Sequence, residues 1–255
     1  MDLQRFIDAK QAELEALRRA MPAPLEVARP DFLRALTAPP PAGEPLRVIA
    51  EFKRSSPSAG VINDRLDPAD VARQYAAGGA ACMSVLTEER YFTGHVRDLS
   101  AAAPAGIPLL RKDFIFSELQ VRQTFATPAS AMLLIVALTP DAAQLRGLRE
   151  LAETQGIHAV VEVFTEQELE LARESGARII QVNARNLETF KTDRVEGLKL
   201  AAHRLPGECW IAASAMQEHS HLQDAAAAGY HAALVGTALM SGNCPLDNLR
   251  RILHP

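Results

Sequence analysis

The sequence of 255 residues contains few cysteines and few aromatic residues, and it has no long apolar run. Its three cysteines, Cys82, Cys209 and Cys244, lie far apart, so they predict neither a metal site nor a disulfide framework and favour a reducing compartment. No apolar run approaches the ~20 residues that a membrane-spanning helix requires. The N-terminus carries charges throughout and lacks the apolar centre of a signal peptide. We therefore expect a soluble protein of the cytoplasm.

A strong charge of either sign is also missing, because the net charge is −4 and neither acidic nor basic residues form blocks. Bulk attraction to nucleic acid or to a membrane is therefore not expected, and an anionic ligand would need a local cluster. The seven histidines form no spacing typical of metal ligands. His219 and His221 lie two positions apart on a predicted helix, where such residues do not share a face. We expect no metal site.

What the chain does contain is the composition of an aliphatic core, with 48% hydrophobic and only 5% aromatic residues. From position 46 onward, apolar runs typical of strands alternate with helical segments. These runs are at 46–52, 81–87, 107–112, 131–137, 158–164, 178–183, 209–213 and 231–235. Helix start signals include Asp67-Pro68 and the pair Thr165 and Glu168, which fits a capping box. Eight strands alternating with eight helices predict an α/β fold, a (β/α)8 TIM barrel.

A doubly wound sheet is the alternative fold, but it is disfavoured because no G-x-G-x-x-G motif follows a predicted strand. Before the barrel, apolar residues at helical spacing predict an amphipathic helix over 2–20. The next stretch, 22–45, is rich in proline and predicts an irregular connector with a short helix over 31–36. We therefore expect a single domain over 1–255, with an N-terminal helical extension and connector in 1–45 and eight βα units in 46–255.

The first predicted strand runs into the sequence VIAEFKRSSPSAG, at 48–60, which is unusual for a core strand. Because strand side chains alternate between faces, Glu51 and Lys53 share one face. A solvated ion pair at the end of a strand is the simpler interpretation. The turn that follows favours an anion site instead, because Ser56 and Ser58 place hydroxyl groups beside a lysine.

Charged and polar side chains also lie at other strand ends, which is where barrels place their active sites. Lys112 ends the third strand and Asn183 ends the sixth. Glu162 interrupts the apolar fifth strand, where an unpaired carboxylate would be costly. A structural ion pair inside the barrel is the alternative for Glu162. Together with Glu51 and Lys53, these residues favour an acid–base active site.

Two further groups suggest how a ligand could be held. Ser214 and the pair Gly236-Thr237 end strands seven and eight, where barrels often bind phosphate. Ordinary turn chemistry is the alternative for these residues. Phe92 and Phe114 lie just beyond strand ends and could cover a planar ligand, although loop packing explains them equally well.

Six segments together resemble the indole-3-glycerol phosphate synthase family. They are IAEFKRSSPSAG, SVLTEERYFTG, PLLRKDFIFSELQV, VVEVF, VNARNLETF and ALVGTALM. The resemblance runs from about position 48 to the C-terminus, and the N-terminal helix is also a feature of that family. The combination of E-x-K-x-x-S-P-S-x-G with L-R-K-D-F is the most specific part of the match.

The resemblance implies a TIM-barrel lyase that needs no cofactor or metal. The reaction closes 1-(2-carboxyphenylamino)-1-deoxyribulose 5-phosphate to indole-3-glycerol phosphate with loss of carbon dioxide and water. By the pattern of the family, Lys112 would be the general acid of ring closure and Glu162 the base of dehydration. Lys53 would act as an acid or anchor the substrate, and Glu51 would tune Lys53. Asn183 completes the catalytic set.

The resemblance also implies which residues bind the phosphorylated small-molecule substrate. Asn183 and Arg185 would contact its carboxylate and hydroxyl groups. The positions on the phosphate side, in addition to Lys53, are Ser56, Ser214, Gly236 and Thr237. The apolar positions that would enclose the aryl ring are Phe92, Phe114, Leu187 and Leu234.

Several positions depart from the usual pattern of the family, and all of them fall on strands five to seven. The family usually has E-S-G where this chain has Ala213-Ser214-Ala215, and it has His, Gly and Asn where this chain has Phe164, Gln181 and Ala184. Ala213 removes a carboxylate, and Ala215 adds a Cβ where the backbone would meet phosphate. If Ala215 is left-handed, the cost is roughly 1–2 kcal/mol. We expect an active enzyme with weakened phosphate binding.

Three functions follow from these observations. The first is a working synthase, which could associate with other enzymes of tryptophan biosynthesis. The second is a divergent paralogue acting on a related aryl amino sugar phosphate, and the third is a non-catalytic partner in a pathway complex. The sister barrel phosphoribosylanthranilate isomerase is disfavoured, because that family has a cysteine at the end of the first strand, where this chain has Glu51 and Lys53.

Overall fold

A computed structural model describes residues 3–184 and 193–254 of the chain. Its main feature is a closed barrel of eight parallel strands, each paired with its neighbours in sequence, and the last strand pairs with the first. The strands are β1 (Arg47–Phe52), β2 (Cys82–Leu86), β3 (Leu109–Lys112), β4 (Ala131–Ile135), β5 (His158–Val163), β6 (Ile179–Asn183), β7 (Cys209–Ala213) and β8 (Ala232–Val235). The predicted TIM barrel is therefore confirmed, and the predicted strands differ from these only at their ends.

Helices connect the strands and surround the barrel. In chain order they are α1 (Gln4–Ala9), α2 (Gln11–Arg19), α3 (Phe32–Thr37), α4 (Pro68–Ala77), α5 (Glu89–Phe92), α6 (Arg97–Ala102), α7 (Glu118–Phe125), α8 (Ala142–Glu153), α9 (Glu166–Glu174), α10 (Arg194–Lys199), α11 (His219–Ala227), α12 (Thr237–Met240) and α13 (Pro245–Leu253). A short antiparallel ribbon, Ser55–Ser56 with Gly60–Val61, follows β1. Within the described ranges, no helix combines the length and apolarity that crossing a membrane requires.

The helix start signals in the sequence lie at the N-termini of α4 and α9. The Asp67 carboxylate accepts hydrogen bonds from backbone N–H groups in the first turn of α4, and Pro68 occupies the first position of that helix. The Thr165 hydroxyl accepts a hydrogen bond from the N–H of Glu168, as predicted. The carboxylate of Glu168 accepts one from the N–H of Phe164, one residue before the N-cap, so the predicted capping box is formed only in part. These contacts satisfy N–H groups that have no partner inside the helix.

Side-chain alternation along the strands produces two buried layers. One layer lies between strands and helices and includes Trp210, Tyr75 and Phe52. The other fills the barrel interior with aliphatic residues such as Ile49 and Leu110. The next inward-facing position along β1 and along β3 is a charged residue at the carboxyl end of the strand. The alternation that builds the core therefore also points the charged residues into the barrel mouth.

The N-terminal extension differs from the single helix predicted over 2–20, because it is divided into α1 and α2 at Lys10. The N–H of Lys10 bonds to the carbonyl of Ile7, three residues back instead of four, so the backbone tightens there. The Lys10 ammonium is buried and forms ion pairs with Asp113 at 2.5 Å and Glu13 at 2.8 Å. The short helix predicted over 31–36 is present as α3, with Asp31 as its N-cap.

Candidate active site

A buried carboxylate shared by two lysines lies at the carboxyl ends of β1 and β3. Glu51 is only 2% exposed, and its two oxygens lie 2.7 Å from Lys53 Nζ and 3.2 Å from Lys112 Nζ. Burial alone would raise the pKa of Glu51, but the ammonium groups of Lys112 and Lys53 outweigh burial and lower it to about 2. Glu51 is therefore ionised at neutral pH. The Glu51 carboxylate holds the side chains of Lys53 and Lys112 next to each other.

Gly236 makes room for this ion pair. A Cβ at position 236 would lie 2.3 Å from Oε1 of Glu51 and 3.1 Å from Nζ of Lys53. Such a contact is shorter than van der Waals packing allows, so any larger residue would displace the carboxylate or the ammonium group. The sequence placed Gly236 on the phosphate side, and the structure gives it this additional steric role.

Neutral amide and hydroxyl donors form a hydrogen-bond chain at the second carboxylate, that of Glu162 on β5. One oxygen of Glu162 accepts a hydrogen bond from Nε2 of Gln181 at 2.5 Å, and the other accepts one from Nδ2 of Asn183 at 3.1 Å. The hydroxyl of Ser214 in turn donates to Oδ1 of Asn183 at 2.7 Å. Glu162 is 3% exposed and Gln181 is fully buried. The carboxylate that would be costly alone is thus held by two amides.

Two adjoining pockets open onto these carboxylates. The first, which we call the polar pocket, is lined by Glu51, Lys53, Lys112, Asn183, Ala213 and Leu234. Ala215 also lines it, together with the four residues that were predicted on the phosphate side, Ser56, Ser214, Gly236 and Thr237. The second, which we call the apolar pocket, is lined mainly by Phe6, Leu86, Phe92, Phe114, Leu133 and Ile135, with Glu162 at its edge. Lys112, Asn183 and Phe92 line both pockets.

The backbone of the polar pocket is strained after β7. Ser214 has a φ of 70° and Ala215 a φ of 58°, both in the left-handed region that disfavours residues with a Cβ. The sequence predicted a cost at Ala215 if that residue were left-handed, and this condition is met. Leu234 was expected around the aryl ring, but it lines the polar pocket, beside Gly236 and Ser214.

The apolar pocket has a wall that the sequence did not predict. Phe6 of α1 stacks on Phe114 with ring centroids 4.1 Å apart, and Phe92 lies 6.1 Å from Phe114. Phe92 and Phe114 were predicted to cover a planar ligand, and both line this pocket. From the sequence, Phe6 could be recognised only as an apolar residue of an amphipathic helix. Its place depends on how that helix packs against the barrel.

A buried ionic cluster, which the sequence did not predict, fixes the chain beside Lys112. Asp113 pairs with Lys10 and with Arg111 at 3.3 Å, and it accepts a hydrogen bond from the hydroxyl of Thr87 at 2.6 Å. Burial acts to raise the pKa of Asp113, but Lys10 and Arg111 outweigh it and lower that pKa. The residues on both sides of Lys112 are thereby anchored inside the protein.

Most predicted site residues are brought together by these elements. Arg185 and Leu187 lie outside the described residues. Phe164 is absent from the lining of both pockets, and its backbone N–H bonds to Glu168. Among the residues that the structure describes, no three His, Cys, Asp or Glu side chains group in a way that could hold a metal ion.

The structural comparisons agree with the barrel fold. A crystal structure of 3-hexulose-6-phosphate synthase matches with a TM-score of 0.65 at 12% identity, covering 81% of this chain and 98% of the other. Deoxyribose phosphate aldolase from Aeropyrum pernix matches with a TM-score of 0.60 at 15% identity, covering 87% of this chain and 95% of the other. At such identities the likeness concerns the fold alone.

The sequence comparisons are more specific. Indole-3-glycerol phosphate synthase of Micrococcus luteus is 39% identical over 97% of this chain and 95% of its own length. The protein of the same name from Chloroherpeton thalassium is 39% identical over 94% of both chains, and that from Burkholderia ambifaria is 38% identical over 98% of both. The family profile described as indole-3-glycerol phosphate synthase matches residues 3–252. The chain therefore belongs to the indole-3-glycerol phosphate synthase family.

Proposed function

We propose that this protein converts 1-(2-carboxyphenylamino)-1-deoxy-D-ribulose 5-phosphate to indole-3-glycerol phosphate, carbon dioxide and water. One observation carries the proposal. Two lysine ammonium groups share the buried carboxylate of Glu51 where a polar and an apolar pocket meet, and a second carboxylate, Glu162, borders the apolar pocket. A substrate with an aryl group at one end and a phosphate at the other matches this division.

Ring closure is the first step. The aryl carbon that bears the carboxylate attacks the ketone carbon, and the ketone oxygen must gain a proton as the new carbon–carbon bond forms. Lys112 lines both pockets, so its ammonium group is placed at the junction where the ketone would lie between aryl ring and phosphate. We assign it the role of general acid, which typically contributes ~10²–10⁴-fold.

Decarboxylation and dehydration complete the reaction. The carbon–carbon bond to the carboxylate breaks, carbon dioxide leaves, and the electron pair restores the aromatic ring. Loss of the hydroxyl group then needs a proton on its oxygen and removal of a proton from the neighbouring carbon. We assign these roles to Lys53 as acid and Glu162 as base. The amides of Gln181 and Asn183 hold Glu162 in place.

The phosphate would bind in the polar pocket. Lys53 supplies a positive charge there, and Ser56, Ser214 and Thr237 supply hydroxyl groups around the pocket. The aryl ring would lie against Phe92 in the apolar pocket. We also propose a cytoplasmic location, which agrees with the three free thiols. Association with other enzymes of tryptophan biosynthesis stays a prediction.

A divergent activity on a related aryl amino sugar phosphate is the second candidate. Ala213 lines the polar pocket without contributing a carboxylate, and Ala215 places a Cβ on a left-handed backbone at the phosphate end. These features would change the electrostatics and the anion contacts of the site without removing any of the acid–base residues.

The test is to incubate the purified protein with the carboxyphenylamino-deoxyribulose phosphate and to follow the fluorescence of the indole product. Turnover that exceeds the background and is lost in Lys112→Ala supports the synthase. Absence of turnover rejects it, and turnover on an analogue alone would favour the divergent activity. Normal activity of the isolated chain would exclude a purely non-catalytic role.

A further inference from the structure

We infer that Gln181 is a positioning residue that orients the carboxylate of Glu162 for proton transfer. The inference rests on the proposed function, because the role of Glu162 as base belongs to that proposal. Gln181 itself is absent from the lining of both pockets, and it acts through Glu162.

The register of the barrel places the two side chains against each other. Glu162 of β5 and Gln181 of β6 are paired positions of adjacent strands. Nε2 of Gln181 donates to one carboxylate oxygen at 2.5 Å, while Asn183 donates to the other at 3.1 Å. The terminal torsion of a glutamate has a broad energy well, so one hydrogen bond leaves the carboxylate plane free to turn. Two donors, one for each oxygen, fix that plane.

The two donors differ in their exposure to a ligand. Asn183 lines both pockets and already accepts a hydrogen bond from Ser214, so a bound substrate competes for its amide. Gln181 is fully buried and lines neither pocket, so a ligand in the pockets has no direct contact with it. Its hydrogen bond is therefore the one that can persist through the whole reaction.

A packing role alone does not account for an amide at this position. Oε1 of Gln181 is buried and has no hydrogen-bond partner among the described residues. An unpartnered buried acceptor lowers stability, and an apolar side chain of similar size would avoid that penalty. The benefit of the amide is then its N–H contact with Glu162.

The test is Gln181→Met, which keeps the length of the side chain and removes the donor. We expect kcat to fall roughly 10- to 100-fold, because the base is misoriented. KM and the affinity for indole-3-glycerol phosphate should change less than about twofold, since Gln181 touches neither pocket. The melting temperature should fall, because one oxygen of the buried Glu162 carboxylate loses its donor, and removal of the unpartnered Gln181 oxygen offsets only part of that cost.

Ser130→Ala is the matched control. Ser130 is buried and its hydroxyl has no hydrogen-bond partner among the described residues, but it precedes β4 at the end of the barrel opposite the pockets. Its removal should leave kcat unchanged. A loss of kcat in Gln181→Met that Ser130→Ala does not show supports a specific effect on Glu162.

Two results would overturn the inference. One is a Gln181→Met enzyme whose kcat stays within about twofold of the parent. The other is a crystal structure of Gln181→Met in which the Glu162 carboxylate keeps its orientation. The crystallographic result does not depend on turnover. An inactive parent protein would therefore reject the proposed function while the orientation of Glu162 still decides the role of Gln181.

Discussion

The two sides of the barrel mouth hold their carboxylates by different physical means. On the ionic side, defined by Glu51, Lys53 and Lys112, a carboxylate is neutralised by two charged partners. On the amide side, defined by Glu162, Gln181, Asn183 and Ser214, the carboxylate of Glu162 is held by the neutral amides of Gln181 and Asn183, and Ser214 donates to Asn183. Coulomb attraction falls slowly with distance and has no preferred angle, whereas hydrogen bonds weaken steeply when misaligned.

This difference separates two properties of an acid–base site. The ionic side fixes the charge state of Glu51 and tolerates small displacements. The amide side fixes orientation, so a substitution there can alter geometry while leaving the charges of the site in place. The left-handed residues Ser214 and Ala215 follow β7, directly beside the amide side. The amide side therefore adjoins a strained stretch of backbone.

The largest expected effect comes from breaking the ionic side at its proton donor. Lys112→Met should lower kcat about 10²- to 10⁴-fold, because the ketone oxygen then receives no proton from a positioned acid. Steady-state kinetics with the indole fluorescence assay would measure the loss. Lys199→Met, which removes an exposed lysine paired with Glu196, is the control and should leave kcat unchanged. A Lys112→Met enzyme within tenfold of the parent would contradict the assignment.

The charge of Glu51 should appear as a pH-dependent stability. The folded-state pKa of about 2 lies below the ordinary value of 4.5, so the stabilisation is fully present above about pH 4.5 and is lost as the pH falls towards 2. Its size is on the order of 3 kcal/mol. Urea unfolding of the parent and of Glu51→Gln should show a stability difference that shrinks across this window. A difference that stays constant down to about pH 2 would refute the ionic account.

Gly236→Ala tests how much displacement the ionic side tolerates. The added Cβ must push the Glu51 carboxylate or Lys53 aside, and a misplacement of this kind can cost about 10²-fold in kcat/KM. Gly147→Ala is the control, because a Cβ at Gly147 in α8 meets no atom within 4 Å. It should leave activity intact and raise stability by about 0.5–1 kcal/mol. Equal kinetics for the two variants would show that Gly236 has no steric role.

The smallest effect should come from relieving strain beside the amide side. Ala215→Gly removes a Cβ from a left-handed residue and should stabilise the protein by about 1 kcal/mol, after the entropic cost of glycine. It should also lower KM for the phosphorylated substrate. Ala213→Gly, inside β7, is the neighbouring control and should destabilise. Denaturant unfolding would measure the free energy of unfolding of both variants. A loss of stability in Ala215→Gly would contradict the strain argument.

The parts of the site that the sequence predicted are those that depend on strand alternation alone. Glu51, Lys53 and Lys112 were placed correctly because an inward-facing residue at the end of a barrel strand must lie at the mouth. The contact between Gln181 and Glu162 depends on the register between two strands, which no local pattern specifies. The strand boundaries follow from local patterns and were predicted closely. The side-chain partners across strands depend on register and were not predicted.

Phe6 and Lys10 show the second limit of prediction. Their helix was expected from its periodicity, but the docking of that helix on the barrel is set by tertiary contacts with Phe114 and Asp113. A buried lysine also cannot be recognised from sequence until its partner is known. The sequence therefore did not predict that the N-terminal helix is interrupted at Lys10.

The docking of the N-terminal extension has a consequence for synthesis on the ribosome. Glu13 and Arg111 are 98 positions apart, and Lys10 and Phe6 likewise contact residues near the end of β3. The extension is therefore translated before the barrel, and its partners Arg111, Asp113 and Phe114 are missing until the third strand has emerged. During that interval the nascent chain exposes the apolar face of α1 and α2, which is when chaperone binding or proteolysis would act on it.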